Sequence, residues 1–341
     1  MITQDIFDRN LNDLLQKMKI KPVFVVVAVS GGSDSLSLSL LSNNWAKKYG
    51  VRIVALTIDH RLRKESADEA NWVHDVLDKN GMKHEILTYT GIVPKSNIEA
   101  EARKYRYDML FDYVRKNKAD CLFVAHNQDE QKETFFLNLV RGSGLYGLCG
   151  MSSVVCYDEV NVIRPMLGFT KEEIKEYLNS LGQIWIEDPS NKDDKYARVR
   201  IRKLKSVIDG LGLTSDRIVK TMASLSRVRD AIDFFVDECV KKNFFICDEY
   251  FVLNKNGFLL YPDEICLRVL AKIFKDMSGK EYPPRFDSME KIFDDIRSGK
   301  ICGRTLAGLK ITLDKNENVV FTKEVRCRVV KEKKDFKKTD I

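Results

Sequence analysis

An apolar run, Val23-Phe24-Val25-Val26-Val27-Ala28-Val29, ends in Ser30-Gly31-Gly32-Ser33-Asp34-Ser35 and passes into a Leu-rich stretch from Leu36. An unbroken run of mostly β-branched residues marks a strand buried on both faces. The glycines permit a tight turn with φ > 0 and a close backbone approach to an anion. Such a turn, placed before a helix start, points backbone N–H groups into a concavity that suits phosphate oxygens. Serine hydroxyls on both flanks add donors. Asp34 would repel phosphate unless it helps to hold Mg²⁺ on a polyphosphate. The segment therefore predicts a nucleotide site. It is neither the G-x-x-x-x-G-K-[ST] loop, since no lysine follows the glycines, nor G-x-G-x-x-G. Leu36, Leu38 and Leu40 alternate with serines at strand-like spacing, but Leu41, Trp45 and Tyr49 continue at four-residue spacing and Gly50 offers a stop. Residues 35–49 are read as a helix.

The same alternation continues along the chain. Residues 52–58 read as a second strand, ending in Asp59-His60-Arg61-Leu62-Arg63. A helix over 66–79, a strand over 84–87 and a helix over 97–116 follow. Cys121-Leu122-Phe123-Val124-Ala125 reads as a fourth strand ending at His126, and 130–140 as a helix. Val162-Ile163 suggest a fifth strand that leaves through Arg164-Pro165. This order predicts an α/β fold: a Rossmann-like parallel sheet with helices on both faces. Ligands of such sheets bind beyond the carboxyl ends of the strands. Three polar clusters, 30–35, 59–63 and 126–133, each follow a strand end, and unrelated loops have no reason to share that end.

Thr170-x-x-Glu173 is a capping box for a helix closed by Gly182. Residues 196–205 carry Arg198, Arg200, Arg202, Lys203 and Lys205, either a solvated helix face or a phosphate-contacting one. A chain of 341 residues exceeds one average domain. The expected division is a catalytic domain over 1–210, a smaller, mostly helical or mixed C-terminal domain over 211–330, and a Lys-rich tail over 331–341. Within the second domain, residues 221–242 read as one long helix and 305–321 as a hairpin around Asp314-Lys315-Asn316. The formal net charge of +7 permits a nucleic-acid partner without showing one. Eight cysteines include no C-x-x-C pair, which argues against a zinc ribbon or an iron–sulfur cluster and for reduced, mostly buried thiols. No stretch of 18 apolar residues occurs and the N-terminus lacks signal-peptide character, so no membrane association and a cytoplasmic location are expected.

Taken together, the motifs resemble the tRNA(Ile)-lysidine synthetases of the PP-loop (N-type) ATP pyrophosphatase superfamily. Residues 30–35 match the superfamily's S-G-G-x-D-S, which alone indicates only the superfamily. The narrower match lies in Asp59-His60-Arg61-Leu62-Arg63, in the E-x-x-A-R-x-x-R-Y pattern of 99–107, in Ala125-His126-Asn127-Gln128-Asp129-Glu130-Gln131-Lys132-Glu133-Thr134, and in Arg141-Gly142-Ser143-Gly144-Leu145-Tyr146-Gly147-Leu148. Arg164-Pro165-Met166-Leu167, Glu187-Asp188-Pro189-Ser190-Asn191 and Arg198-Val199-Arg200-Ile201-Arg202 complete the order. The family pattern has Asp where Glu130 stands and usually Asn where Val199 stands. Longer relatives carry a further C-terminal domain that this chain is expected to lack.

The resemblance implies ATP-dependent joining of L-lysine to the wobble cytidine of an isoleucine tRNA with a CAU anticodon, through an adenylated base. The product, lysidine, pairs with A rather than G. It implies ATP and Mg²⁺ as cofactors, with Ser30, Gly31, Gly32, Ser33, Asp34 and Ser35 at the phosphates and Asp34 at the metal. Asp34, Asp59, His60, Arg103 and His126 are the implied catalytic set, with Arg106 as a further cation near the α-phosphate. Glu130 and Glu133 would receive the lysine amine, and Arg141, Arg198, Arg200 and Arg202 the tRNA phosphates. A homodimer is left open. The competing readings are a tRNA thiolase, which needs reactive cysteines, an amidotransferase-like ligase, which needs a glutaminase, and a non-catalytic nucleotide-binding RNA adaptor.

Overall fold

The computed structural model describes residues 2–61, 65–91, 98–187, 197–247, 250–279, 283–301 and 303–324. Leu62 and Arg63 of the second polar cluster, residues 188–191 and the 331–341 tail lie outside them. The chain forms two compact units, Met1–Ser226 and Arg227–Ile341.

The first unit begins with α1 (Gln4–Lys17), β1 (Phe24–Ala28), α2 (Ser33–Tyr49), β2 (Arg52–Asp59), α3 (Ser66–Lys79), β3 (His84–Thr88), α4 (Ile98–Asn117) and β4 (Cys121–Phe123). It continues with α5 (Gln128–Val140), α6 (Leu145–Leu148), β5 (Val154–Tyr157), β6 (Val160–Ile163), α7 (Lys171–Ser180), α8 (Ala197–Lys203) and α9 (Lys205–Gly210). Helix α10 (Ser215–Asn243) contains the division between the units, and the 210–215 segment precedes it.

The sheet order is β3-β2-β1-β4-β6-β5. Strand β1 pairs in parallel with β2 on one side and with β4 on the other. The direction of winding therefore reverses between β1 and β4, and the crevice beyond their carboxyl ends is where such sheets take ligands. Burial follows the two-residue period of the strands. Val25 and Val27 enter one core with helices α1, α2, α3 and α7, whereas Phe24 and Val26 enter the opposite core with Leu110, Phe111 and Val114 of α4.

Two local features depart from the simplest pattern. The edge strand β5 runs antiparallel to β6. Its hairpin turns at Asp158 (φ 44°) and Glu159 (φ 66°), a primed turn built without glycine, so the sequence carries none of the usual hairpin signal. Helix α2 carries the Leu–Ser alternation because it is buried almost all round. Ser37, Ser39 and Ser42 are fully enclosed, with Ser39 Oγ donating to Ser35 O at 2.8 Å and Ser37 Oγ to Ile174 O at 3.4 Å. A helix enclosed on every side shows no helical hydrophobic period.

A short polar relay links the end of β1 to β2 and β3. Thr57 Oγ1 donates to Val29 O at 3.1 Å, so it accepts from His84 Nε2 at 2.8 Å. His84 Nδ1 is then the acceptor facing His74 Nδ1 at 3.3 Å. Burial first, then the neighbouring His74, pulls His84 down to about 4 from 6.5. The unfolded chain therefore takes up this proton first as pH falls, and stability drops between about pH 6.5 and 4 by up to about 1.4 kcal/mol per unit. A His84→Gln protein should lose this component, so urea-denaturation free energies of the two proteins converge as pH falls through that window. Parallel curves would assign the acid sensitivity elsewhere.

The second unit places β7 (Phe244–Ile246), β8 (Tyr250–Leu253), β9 (Arg304–Leu306), β10 (Leu309–Leu313) and β11 (Val319–Lys323) in an antiparallel sheet of order β7-β8-β11-β10-β9. Short α11 (Lys255–Phe258) and helices α12 (Asp263–Ser278) and α13 (Phe286–Ser298) complete it, with Phe258, Phe274, Ile296 and Phe321 fully buried in one core. The β10–β11 hairpin turns where the sequence puts it. Asp314 Oδ1 accepts from the N–H groups of Asn316 and Asn318, both at 2.8 Å. Among the described residues no helix is long and apolar enough to cross a membrane.

Candidate active site

The loop after β1 is held in shape by its own side chains and by one distant strand of backbone. Ser30 N donates to Ser35 Oγ at 3.1 Å, and Ser35 Oγ donates to Gly32 O at 3.1 Å. Gly31 adopts φ +83°, and its carbonyl accepts from Ile186 N at 2.9 Å. A Cβ at Gly31 would stand 2.7 Å from Ile186 Cδ1 and 2.9 Å from Val73 Cγ2, so both conformation and space demand glycine. Gly32 is the N-cap of α2 and supplies no side-chain acceptor. The first-turn N–H groups of α2 are thus left without a side-chain cap, at the positive end of a seventeen-residue helix. That is the geometry of an anion site.

Asp34, in the first turn of α2, joins three elements. Its Oδ1 accepts from Asn127 Nδ2 at 2.9 Å and its Oδ2 from Lys171 Nζ at 2.5 Å. Asn127 is buried and lies just after β4; Lys171 begins α7. The backbone N–H of Lys171 donates to Asp129 Oδ2 at 2.8 Å, which ties α7 to the start of α5 as well. The 30–35 loop and the polar segment after β4 are therefore in direct contact across the switch point of the sheet.

Asn127 also starts α5. Its Oδ1 accepts from Glu130 N at 2.9 Å, and Glu130 Oε2 accepts from Asn127 N at 3.2 Å, a reciprocal capping box. Glu130 is pushed up to about 7, first by burial and then by the negative charge of Asp34. A carboxyl group in that range can give or take a proton at neutral pH. Glu133, buried one turn on, is gripped in two places by Arg202 of α8, Nε to Oε1 at 2.5 Å and Nη2 to Oε2 at 3.1 Å. Buried Lys132 pairs in the opposite sense with Asp209 of α9 at 2.5 Å.

Asp59, at the end of β2, is buried, and its Oδ1 accepts from Arg61 N at 2.9 Å and Ser66 Oγ at 2.7 Å. The next residue, His60, accepts at Nε2 from Arg106 Nε at 3.3 Å. Burial and Arg106 keep its proton affinity below the ordinary histidine value. Arg103 is exposed on α4, its guanidinium 5.2 Å from the centre of the Tyr107 ring. His126, after β4, accepts at Nδ1 from Arg164 Nε at 3.2 Å. Arg141 is exposed at the C-cap of α5, and Arg200 is exposed on α8 beside half-buried Arg198. Direct contacts thus join Asp34 to the His126–Glu133 segment, Glu133 to Arg202, and His60 to Arg106. Among the described residues no hydrogen bond or ion pair carries Arg141 or Arg103 into that network, though the Arg103 charge acts on His126.

Sequence reasoning passes over four participants: Asn127, Arg164, Lys171 and Ile186. Asn127 had a signal, since Asn-x-x-Glu before an apolar run is a capping box. Arg164 stands in a quoted motif without a role. Nothing local marks Lys171 or Ile186.

Mg²⁺ takes one or two carboxylates and completes its octahedron with waters and substrate phosphates. Asp34 offers one partly exposed carboxylate beside the loop, each oxygen using one of its two acceptor positions, so it fits a phosphate-borne Mg²⁺. Among the described residues no cluster of three or more His, Cys, Asp or Glu could hold a metal alone.

Residues 3–208 match the PP-loop domain family. The tRNA(Ile)-lysidine synthase of Ruegeria pomeroyi is 35% identical over 271 residues, 80% of this chain and 65% of that protein. That of Wolbachia pipientis wMel is 36% identical over 307 residues, 88% of this chain and 70% of that protein. In fold, the chain is similar to a U34-tRNA thiolase from Methanococcus maripaludis, with a TM-score of 0.54 at 17% identity over 64% of this chain and 78% of that one. With a PP-loop domain over most of its first unit and identity above 30% to curated relatives along most of its length, the chain belongs to the tRNA(Ile)-lysidine synthase family.

Proposed function

We propose that the protein joins L-lysine to C2 of the wobble cytidine in the CAU anticodon of tRNA(Ile), at the expense of ATP. The cytidine O2 attacks the α-phosphate and pyrophosphate leaves. The lysine amine then attacks C2, loses a proton, and AMP departs with the former O2. The observation that carries this reading is the contact between Asp34 and Asn127, which sets a polyphosphate loop against an acidic helix start bearing Glu130 and Glu133. An ATP site alone needs no such neighbour; a reaction that brings a cationic amine to an adenylated base does.

The uncapped start of α2 and the 30–35 loop bind the phosphates. Asp34 would hold Mg²⁺ together with phosphate oxygens, where the ion offsets charge gathering on the leaving pyrophosphate. Glu130 and Glu133 receive the lysine ammonium, and Glu130, with its proton affinity near neutrality, takes the proton released as the amine attacks. The extra methylene of Glu130, relative to the family's Asp, lets the same carboxylate reach back to Asn127 N. Asp59 fixes the turn that presents His60, and Arg103 and Arg106 serve the α-phosphate. Arg141, Arg198, Arg200 and Arg202 contact tRNA phosphates, which position the RNA without reading its sequence; Arg202 does so from a guanidinium whose Nε and Nη2 also hold Glu133. A thiolase reading has less support, because no two cysteines have C-x-x-C spacing and Cys121, at the strand beside the site, is fully buried with its thiol pushed far up by that burial.

The test is transfer of radiolabelled lysine to an isoleucine-tRNA transcript, with a methionine-tRNA transcript of the same anticodon as control. Label should enter only the isoleucine tRNA, and pyrophosphate release should require both tRNA and lysine. ATP consumption without tRNA, or indifference to lysine, would end this reading.

A further inference from the structure

We propose that Arg164 is a positioning residue that fixes His126 as the neutral Nε2–H tautomer, making His126 a hydrogen-bond donor to substrate and not a proton-transfer group. The tautomer follows from the protein alone; that its donor serves the adenylation step rests on the function proposed above.

Arg164 follows β6 and is 7% exposed. Its Nη1 donates to Ser152 O at 2.8 Å and its own N–H to Ser153 O at 2.8 Å, so the guanidinium is anchored independently of the histidine. From that anchored position Nε points a proton at His126 Nδ1, 3.2 Å away. Arginine stays protonated in proteins and has no acceptor. A proton on Nδ1 would meet the Nε proton head on, so Nδ1 must present its lone pair. The remaining proton of a neutral ring then sits on Nε2, the one nitrogen left for a substrate. An imidazolium is disfavoured for the same steric and electrostatic reason. Burial and the charges of Arg164, Arg103 and Arg198 act together in this direction, pulling His126 down to about 3. A group so far from neutrality is a poor acid–base catalyst at pH 7. A fixed N–H donor in a cleft where phosphate charge builds is a good electrostatic one.

The chain contains only four histidines, so all can be followed individually in the full-length, ligand-free protein labelled with ¹⁵N-histidine. Two-bond ¹H–¹⁵N correlation spectra, assigned with His126→Asn, should show His126 as the Nε2–H tautomer, unchanged from pH 8 to pH 5. Arg164→Met should shift the Nδ1 resonance toward a tautomer average, while burial and the charges of Arg103 and Arg198 still oppose protonation; Arg164→Lys should restore part of the wild-type pattern. Unchanged His74 and His84 signals certify the fold of each variant. An Nδ1–H tautomer or a titrating His126 in the wild type overturns the proposal even if Arg164→Met fails to fold. So does a folded Arg164→Met protein whose His126 pattern is unaltered. No substrate enters these spectra, so failure of lysine transfer would remove the assigned reaction and leave the tautomer result standing.

Discussion

Asp34→Ala lowers pyrophosphate release by about 1,000-fold or more, roughly 4 kcal/mol of transition-state stabilisation, while tRNA binding stays nearly intact. The size follows from how much meets at this carboxylate. It takes the Lys171 ammonium on one oxygen and the Asn127 amide on the other, and in the proposed reaction it also faces the metal on the phosphates. Its loss leaves a lysine charge unopposed beside the phosphate loop and releases Asn127 from the loop it bridges to. The effect on folding should be small by comparison, because the Lys171 and Asp34 side chains are 35% and 26% exposed and such pairs contribute about 1 kcal/mol or less. Asp34→Asn separates charge from shape: it keeps an acceptor for Asn127 and cannot pair with Lys171. Steady-state pyrophosphate release and filter binding of labelled tRNA are the two measurements. If tRNA binding collapses with turnover, the loop is a structural element; if Asp34→Asn turns over normally, the charge has no part in the reaction.

The parts of the fold that the sequence discloses are those in which one local rule decides the outcome. The β-branched run within Val23 to Val29 forms β1 at Phe24–Ala28, buried on both faces. The capping box at Thr170 starts α7, with Thr170 Oγ1 accepting from Glu173 N at 3.1 Å and Glu173 Oε2 from Thr170 N at 3.0 Å. Three strand ends with polar tails predict a site beyond the carboxyl ends of the strands, and the Asp34–Asn127 contact joins two of these tails. What remains hidden depends on partners far apart in sequence. Lys171 reaches Asp34 across 137 positions, Arg164 reaches His126 across 38, and Arg202 reaches Glu133 across 69. A basic residue after a strand or on a short helix reads as a phosphate contact because nothing local says which carboxylate or imidazole it will meet. The β5 hairpin stays hidden for a different reason: Asp158 and Glu159 take positive φ without the glycine that usually announces it.

The Glu133–Arg202 pair has the largest expected effect on stability. Glu133→Gln should lower the free energy of unfolding by about 2 kcal/mol, the usual worth of a bidentate charged hydrogen bond whose acceptor is buried. The acceptor side is enclosed, with the Glu133 side chain 7% exposed, while the Arg202 side chain is 40% exposed and rehydrates in part when freed. That asymmetry keeps the loss below the 3–5 kcal/mol typical of a fully buried broken pair. It also makes Arg202→Gln the more damaging change of the two, since it strands a buried carboxylate and the other strands a wettable guanidinium. The pair works beside Lys132–Asp209, so two adjacent residues of α5 hold α8 and α9 by opposite charges. Loosening either should expose the arginines of α8 to trypsin. A double-mutant cycle on Glu133→Gln and Arg202→Gln, read by urea denaturation, should return a coupling of about 1–2 kcal/mol, with the double variant no less stable than Arg202→Gln alone. If Arg202 instead spends its charge on tRNA, Arg202→Gln leaves the denaturation curve in place, the coupling vanishes, and the salt dependence of tRNA binding falls by about one counterion. The two outcomes are told apart by the free protein, because a guanidinium that holds Glu133 through Nε and Nη2 moves the denaturation curve and one that serves only tRNA does not.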